Sequence, residues 1–218
     1  MFFKKEQQKA FTMIELTVVV GIFVMITGIL LANYSKFSSS VVLENVAYST
    51  GLSIRQAQTY GMVVKEFIAG SGDFPAYGTY FYTGGSGDIE FYIFADQDGN
   101  KRYDDVGCTP GSGECFDKLI LQDSYYIYAI CGNLKKDAVA SGVFRTTDDV
   151  TGTPGIENYC GDIDDISIAF TRPNPDALIT LDKGGAYSTA DDAEIIVASP
   201  RGDVRTVVVW RTGQISIE

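Results

Sequence analysis

From Leu16 to Ala32 the chain reads LTVVVGIFVMITGILLA, with nothing more polar than Thr17 and Thr27. An unbroken apolar run of this length predicts one helix with no polar face. With residues 11–15 it makes 22 residues, about 33 Å of helix at ~1.5 Å per residue, against a hydrocarbon core of about 30 Å. The next stretch, NYSKFSSSVVLENVAYSTGLSIRQAQTYG, contains no proline. Phe37, Val41, Val42, Val46, Leu52 and Ile54 recur there at loose helical spacing, so the helix is expected to continue to about Tyr60. Gly51 weakens it by about 1 kcal/mol relative to Ala. After Tyr60 the period changes. MVVKEFIA, TYFYT, IEFYIF, KLILQ, SYYIYAI, ISIAF, ALITL, EIIVAS, RTVVVW and QISIE are short, rich in Val, Ile, Tyr and Phe, and separated by Gly, Asp, Asn and Pro. These read as strands. The short connections SPRGD and RTG predict that the last three form an antiparallel meander. The expected fold class is α+β: a long N-terminal helix followed by an antiparallel β-sheet domain. Trp210 is expected in the core, and Tyr77, Tyr80, Tyr82, Tyr92, Tyr125, Tyr126 and Tyr128 on half-buried sheet faces.

Charge divides the chain further. The 218 residues carry 17 Lys and Arg against 28 Asp and Glu, a formal charge of −11. Residues 1–10 hold three Lys and one Glu, a local +2; residues 11–32 hold one charge, Glu15; everything after residue 10 sums to −13. A basic tip before an apolar helix keeps the tip cytoplasmic and sends the acidic body across the membrane. A cleavable secretory signal has a shorter apolar stretch of about 7–15 residues and a small-residue cleavage site after it; neither is present. The acidic balance argues against nucleic-acid binding, which needs clustered Lys and Arg. With no histidine, Ser-His-Asp and Cys-His nucleophiles and His-ligated zinc are excluded. The chain is not expected to be an enzyme.

Glu15 is the residue that needs explaining, because a carboxylate at the membrane end of an apolar helix costs about 2–3 kcal/mol. Its surroundings, KAFTMIELTVVVGIFVMITGILL, closely resemble the class III signal of type IV prepilins and type II secretion pseudopilins. The resemblance implies a leader of residues 1–10 cut between Ala10 and Phe11, an N-methylated Phe11, a helix over residues 11–60 and a β-rich pilin-like body over residues 61–218. Thr12, Met13, Ile14 and Leu16 also fit. It further implies that the Glu15 carboxylate pairs with the N-terminal amine of a neighbouring subunit in a filament core and sets axial register. The family normally has Gly before the cut, where this chain has Ala10, and many major pilins carry a proline in the apolar helix, which is absent here. The ending VASPRGDVRTVVVWRTGQISIE is similar to the closing strands of minor pilins of the GspH type. The implied partners are other pilin or pseudopilin subunits, prepilin peptidase and an inner-membrane assembly platform. The implied location is the inner membrane before assembly, then a filament with the body periplasmic or extracellular.

Two further features lie in the body. Residues 94–105 read FADQDGNKRYDD. Asp96, Asp98 and Asn100 alternate, Gly99 permits a sharp turn, and Asp104 and Asp105 close the stretch. Hard oxygen ligands in this pattern suit Ca²⁺, with a backbone carbonyl such as that of Arg102 completing the shell. The spacing departs from an EF-hand, and the same residues favour an Asx-rich hairpin turn. GspH-like pseudopilins show a similar acidic loop. Cys108, Cys115, Cys131 and Cys160 permit three pairings. Their spacing does not resemble a Cys₄ zinc site, and export favours disulfides. The Pro and Gly in CTPGSGEC favour Cys108–Cys115, which leaves Cys131–Cys160. The acidic pairs Asp148/Asp149, Asp164/Asp165 and Asp191/Asp192 read as solvated loops.

The expected function is that of a structural subunit, a minor one, of a type IV pilus or a type II secretion pseudopilus. The alternatives are a membrane-anchored module whose β-sheet head binds a glycan or protein, and an anchored hydrolase using the Asp pairs.

Overall fold

The helix α1 runs from Met13 to Met62 as one element of 50 residues. The computed structural model describes residues 12–63, 65–68, 70–83, 89–122, 124–132, 159–160 and 163–218. Residues 42–218 form one compact unit. Within it, Leu43, Val46, Ala47, Thr50, Ser53, Ile54, Ala57 and Gln58 are the buried non-glycine positions among the described residues of α1. They recur at three- and four-residue steps and make one face. Small residues dominate that face because backbone approaches backbone. A Cβ at Gly61 would collide with the Phe170 carbonyl oxygen, and one at Gly51 would press on Ile217 Cδ1 at 3.3 Å. Of the bulky residues expected to line this helix, Val46 and Ile54 are buried, whereas Phe37, Val41 and Leu52 are exposed.

Eleven strands follow: β1 (Ala76–Tyr82), β2 (Glu90–Asp96), β3 (Cys115–Ile120), β4 (Tyr126–Gly132), β5 (Tyr159–Cys160), β6 (Asp165–Phe170), β7 (Ala177–Lys183), β8 (Ala186–Ala190), β9 (Asp192–Ala198), β10 (Val204–Trp210) and β11 (Ile215–Ile217). They build a six-stranded sheet, β3-β2-β1-β6-β7-β8, and a five-stranded sheet, β11-β10-β9-β4-β5. Every neighbouring pair is antiparallel. The α+β expectation holds, and so does the closing meander. Its last turn follows from sequence: Gly213 N donates to Trp210 O (2.8 Å) and Trp210 N to Gln214 O (2.9 Å), a three-residue connection with Gly213 left-handed at φ 78°.

One apolar cluster joins the helix and both sheets. Leu43 and Ile54 of α1 meet Phe81, Ile93, Ile168 and Phe170 of the larger sheet and Ile130, Ile195, Val207 and Val209 of the smaller. Strand β2 is buried on both faces. Phe91 and Ile93 point into this core, while Tyr92 and Phe94 pack with Tyr103 from the following loop.

Four expectations are corrected. MVVKEFIA is not a strand: Met62 still belongs to α1, and β1 starts only at Ala76. The Glu66 carboxylate accepts from Gly70 N and Gly72 N, which folds this stretch into a turn. Strand β8 (AYSTA) was not anticipated, because an exposed edge strand carries no apolar alternation. Trp210 is 42% exposed; Val207 and Val209 take the core side of β10, so Trp210 faces out. Asp165 and Asp192 lie in strands β6 and β9, not in loops, and Asp192 is buried. Asp148 and Asp149 lie outside the described residues.

Candidate functional site

The apolar span is Met13–Leu31, and none of it is buried. This one helix is long and apolar enough to cross a membrane. Just before it, Thr12 caps the helix. Glu15 Oε2 accepts from Thr12 N (3.1 Å) and from Thr12 Oγ1 (3.0 Å), and Glu15 N donates back to Thr12 Oγ1 (3.3 Å). This is a capping box, in which a Thr and a Glu three residues on satisfy each other's free backbone donors. Its signal, T-x-x-E before an apolar run, was present in the sequence but hidden by the long-range role expected of Glu15. Ala10 and Phe11 lie outside the described residues.

The acidic loop between β2 and β3 is ordered by its own side chains. Asp96 is buried at the end of β2, and Lys101 Nζ stands 2.6 Å from its Oδ2. Lys101 N also donates to Asp96 Oδ1 (3.2 Å). Asp98 accepts from Asn100 N (3.0 Å) and Asn100 Nδ2 (2.7 Å), and Asn100 Nδ2 also reaches Asp104. Asn100 Oδ1 in turn accepts from Arg102 N (2.7 Å). These are the Asx-turn bonds such residues favour. Asp105 Oδ2 accepts from Glu114 N (2.6 Å). The Cys108–Cys115 disulfide closes the return of the loop with Cα atoms 5.3 Å apart.

The closed loop delivers a carboxylate that the sequence reading missed. Glu114, buried beside Cys115, accepts from Gln97 N (3.1 Å) and Asp104 N (3.3 Å). Burial pushes its carboxyl up, the two backbone donors hold it down, and Asp98 and Asp96 add to the rise. Carboxylate oxygens of Asp96, Asp98 and Glu114 all lie within 4.8 Å of one another. Asn100, Asp104 and Asp105, like Asp96 and Asp98, take part in the hydrogen bonds of the loop. Three carboxylates against one ammonium leave two negative charges, a donor set that fits a hard divalent cation. If calcium binds here with the weak affinity of extracellular modules, 10 mM ion should add about 1.4–2.7 kcal/mol of stability. The expected result is a melting temperature raised by several degrees in the parent chain and unmoved in Glu114→Gln. No shift in the parent chain disposes of the ion.

A second carboxylate pair sits on the sheet itself. Tyr82, Asp165, Asp182 and Tyr187 stand in one row across β1, β6, β7 and β8. Like charges directly opposite each other destabilise a sheet. Burial pushes the Asp165 carboxyl up to about 6, with Asp182 and Asp164 adding to the rise, while Tyr80 and Arg102 oppose it. Because the folded chain holds this proton more tightly than the unfolded one, Asp165 stabilises the fold most below about pH 4. That contribution is lost as pH rises through about 6. Asp165→Asn is therefore expected to raise the melting temperature at pH 7.5 by a few degrees. At pH 4 parent and variant should converge; a gap of equal size at both pH values rejects the assignment.

Asp164 and Asp191 hold structural contacts. Asp164 Oδ2 accepts from Gly184 N (2.6 Å), and Asp191 pairs with Arg211 at 3.3 Å. Strand register sets Cys131 opposite Cys160. No protein-family model matches this chain, and neither does any curated protein or solved structure.

Proposed function

We propose that this chain is a subunit, and a minor one, of a type IV pilus or a type II secretion pseudopilus. Prepilin peptidase cuts it between Ala10 and Phe11 and methylates Phe11, and an inner-membrane platform assembles it with other pilin subunits through α1. Before assembly it spans the inner membrane once; afterwards its pilin-like body is carried on the filament in the periplasm or outside the cell. The observation that carries this reading is the wholly exposed apolar span Met13–Leu31, entered through Glu15, at the start of a 50-residue helix. Such a span needs lipid or other apolar helices around it. Assembly gives both environments in turn, and it gives Glu15 a cationic partner.

The test is the intact mass of the chain purified from membranes with and without a prepilin peptidase. The expected product with peptidase begins at Phe11 and carries one added methyl group; without it the leader stays on. A chain that keeps residues 1–10 in both hosts, or is cut after the apolar span, overturns the proposal.

A further inference from the structure

Lys101 is held in an unusual way. Its backbone is left-handed at φ 69°, and among the described residues only Lys101 and Ser124 have a positive φ without being glycine. A long side chain rarely takes that conformation, and where it does, the surrounding contacts hold it there. Here the contact is Asp96. Lys101 N donates to its Oδ1 (3.2 Å) and Lys101 Nζ to its Oδ2 (2.6 Å). One residue thus grips both oxygens of one carboxyl group. The Asp96 side chain is wholly buried, whereas that of Lys101 is 31% exposed.

The grip sets an amine nitrogen against a carboxyl carbon. Nζ stands about 3.5 Å from Cγ, the separation of reactants poised to form a bond. Groups held in this way have very high effective molarities, which offset the unfavourable equilibrium of amide formation in water. A third group is in place to move a proton. Glu114 is buried, and one of its carboxylate oxygens lies within 4.8 Å of one of Asp96. Gln97 N and Asp104 N fix its two oxygens. A positioned carboxylate can carry a proton from an attacking amine to a leaving oxygen.

We propose that Lys101 and Asp96 condense into an isopeptide bond, with Glu114 as the proton carrier. The ammonium passes one proton across the 2.6 Å contact to Oδ2, and its nitrogen attacks Cγ. Glu114 takes a second proton from that nitrogen and returns it to Oδ2, which leaves as water when the C–O bond breaks. Oδ1, still held by Lys101 N, becomes the amide oxygen. One C–N bond replaces one C–O bond, nothing is oxidised or reduced, and Glu114 ends as it began. One positive and one negative charge vanish together, so the loop keeps its two net negative charges. The bond closes residues 96–101 into a ring beside the Cys108–Cys115 ring, and it does not depend on the filament reading.

The test is peptide mass mapping of the full chain, purified from membranes, reduced and digested with a lysine-specific protease. The expected peptide spanning residues 96–101 runs on past Lys101 and is lighter than its sequence by one water, about 18 Da. Asp98–Gly99 can also lose a water by closing on its own backbone, so Lys101→Arg is the control: it keeps that loss and abolishes this one. Glu114→Gln has a similar shape but cannot take the proton. Its closed fraction is expected to fall at least about tenfold, while its Cys108–Cys115 disulfide still forms. A parent chain of full mass, cut after Lys101, overturns the proposal. So does a missing water that survives in Lys101→Arg. A Glu114→Gln chain that closes as fully as the parent overturns the role of Glu114.

Discussion

Glu15→Gln is expected to insert, fold and be cut like the parent chain, yet to enter filaments about a hundredfold to a few thousandfold less well. Removing one partner of a desolvated charge pair costs about 3–5 kcal/mol, and 1.4 kcal/mol is tenfold in an equilibrium. Glutamine is the informative substitution because the Thr12–Glu15 box gives this side chain two roles. Its oxygen caps the helix within the chain, which Gln can also do. In the filament proposed above its charge would also meet a neighbour's terminal amine, which Gln cannot replace. Glu15→Ala loses both. The measurement is the ratio of sheared-filament to membrane-bound protein for parent, Gln and Ala chains, with helicity followed by circular dichroism. If the Gln chain assembles like the parent and only the Ala chain fails, Glu15 is a cap and not an assembly charge.

Gly213→Ala should be the most damaging single-methyl addition in the closing hairpin. Gly213 is left-handed at φ 78°, and a Cβ there would collide with Pro175 O and lie 2.5 Å from Gln58 Nε2. Gln58 Nε2 donates to Pro175 O (3.1 Å) and Gly213 O (3.0 Å), tying α1 to two loops at once. The left-handed backbone costs a side chain about 1–2 kcal/mol, and forced displacement of packed atoms about 1–3 kcal/mol more. A total of about 3 kcal/mol lowers the melting temperature by roughly 6–12 °C in a body of this size. Gly202→Ala is the comparison. Gly202 is also left-handed, at φ 89°, but has open space around it, so only the backbone cost applies. Equal losses at the two sites would show that the Gln58 tie contributes nothing.

Much of the order of elements could be read because each follows a local rule. The apolar span, its extension toward Met62 and the closing meander depend on hydrophobic period and turn residues, which neighbours in sequence decide. The buried face of α1 was harder. Helical spacing was sought among bulky residues, but close packing on Phe170 and Ile217 selects Gly61 and Gly51, and the small Ala47, Thr50 and Ala57 share the buried face, while Phe37 and Leu52 remain outside. Glu114 escaped for a related reason. It lies 16 residues beyond Asp98, and only the fold of the loop on its disulfide brings the two carboxylates together. Trp210 was misplaced because residue type suggested the core, where the alternation of β10 puts it outside. In each case a contact distant in sequence overrode a sound local preference.

The seat of α1 also dictates when its lower half can be covered. Gly51 lies against Ile215 and Ile217, and Gln58 reaches Pro175 and Gly213. Those partners are made more than a hundred residues after the helix. At about 5–20 residues per second, roughly ten to thirty seconds pass between synthesis of Gly51 and of Ile217. Throughout that interval Leu43, Val46, Ile54 and Ala57 have no finished surface to rest on. The nascent chain thus carries a half-made amphipathic helix for most of its translation, a standing demand for a holding chaperone or for the membrane surface itself.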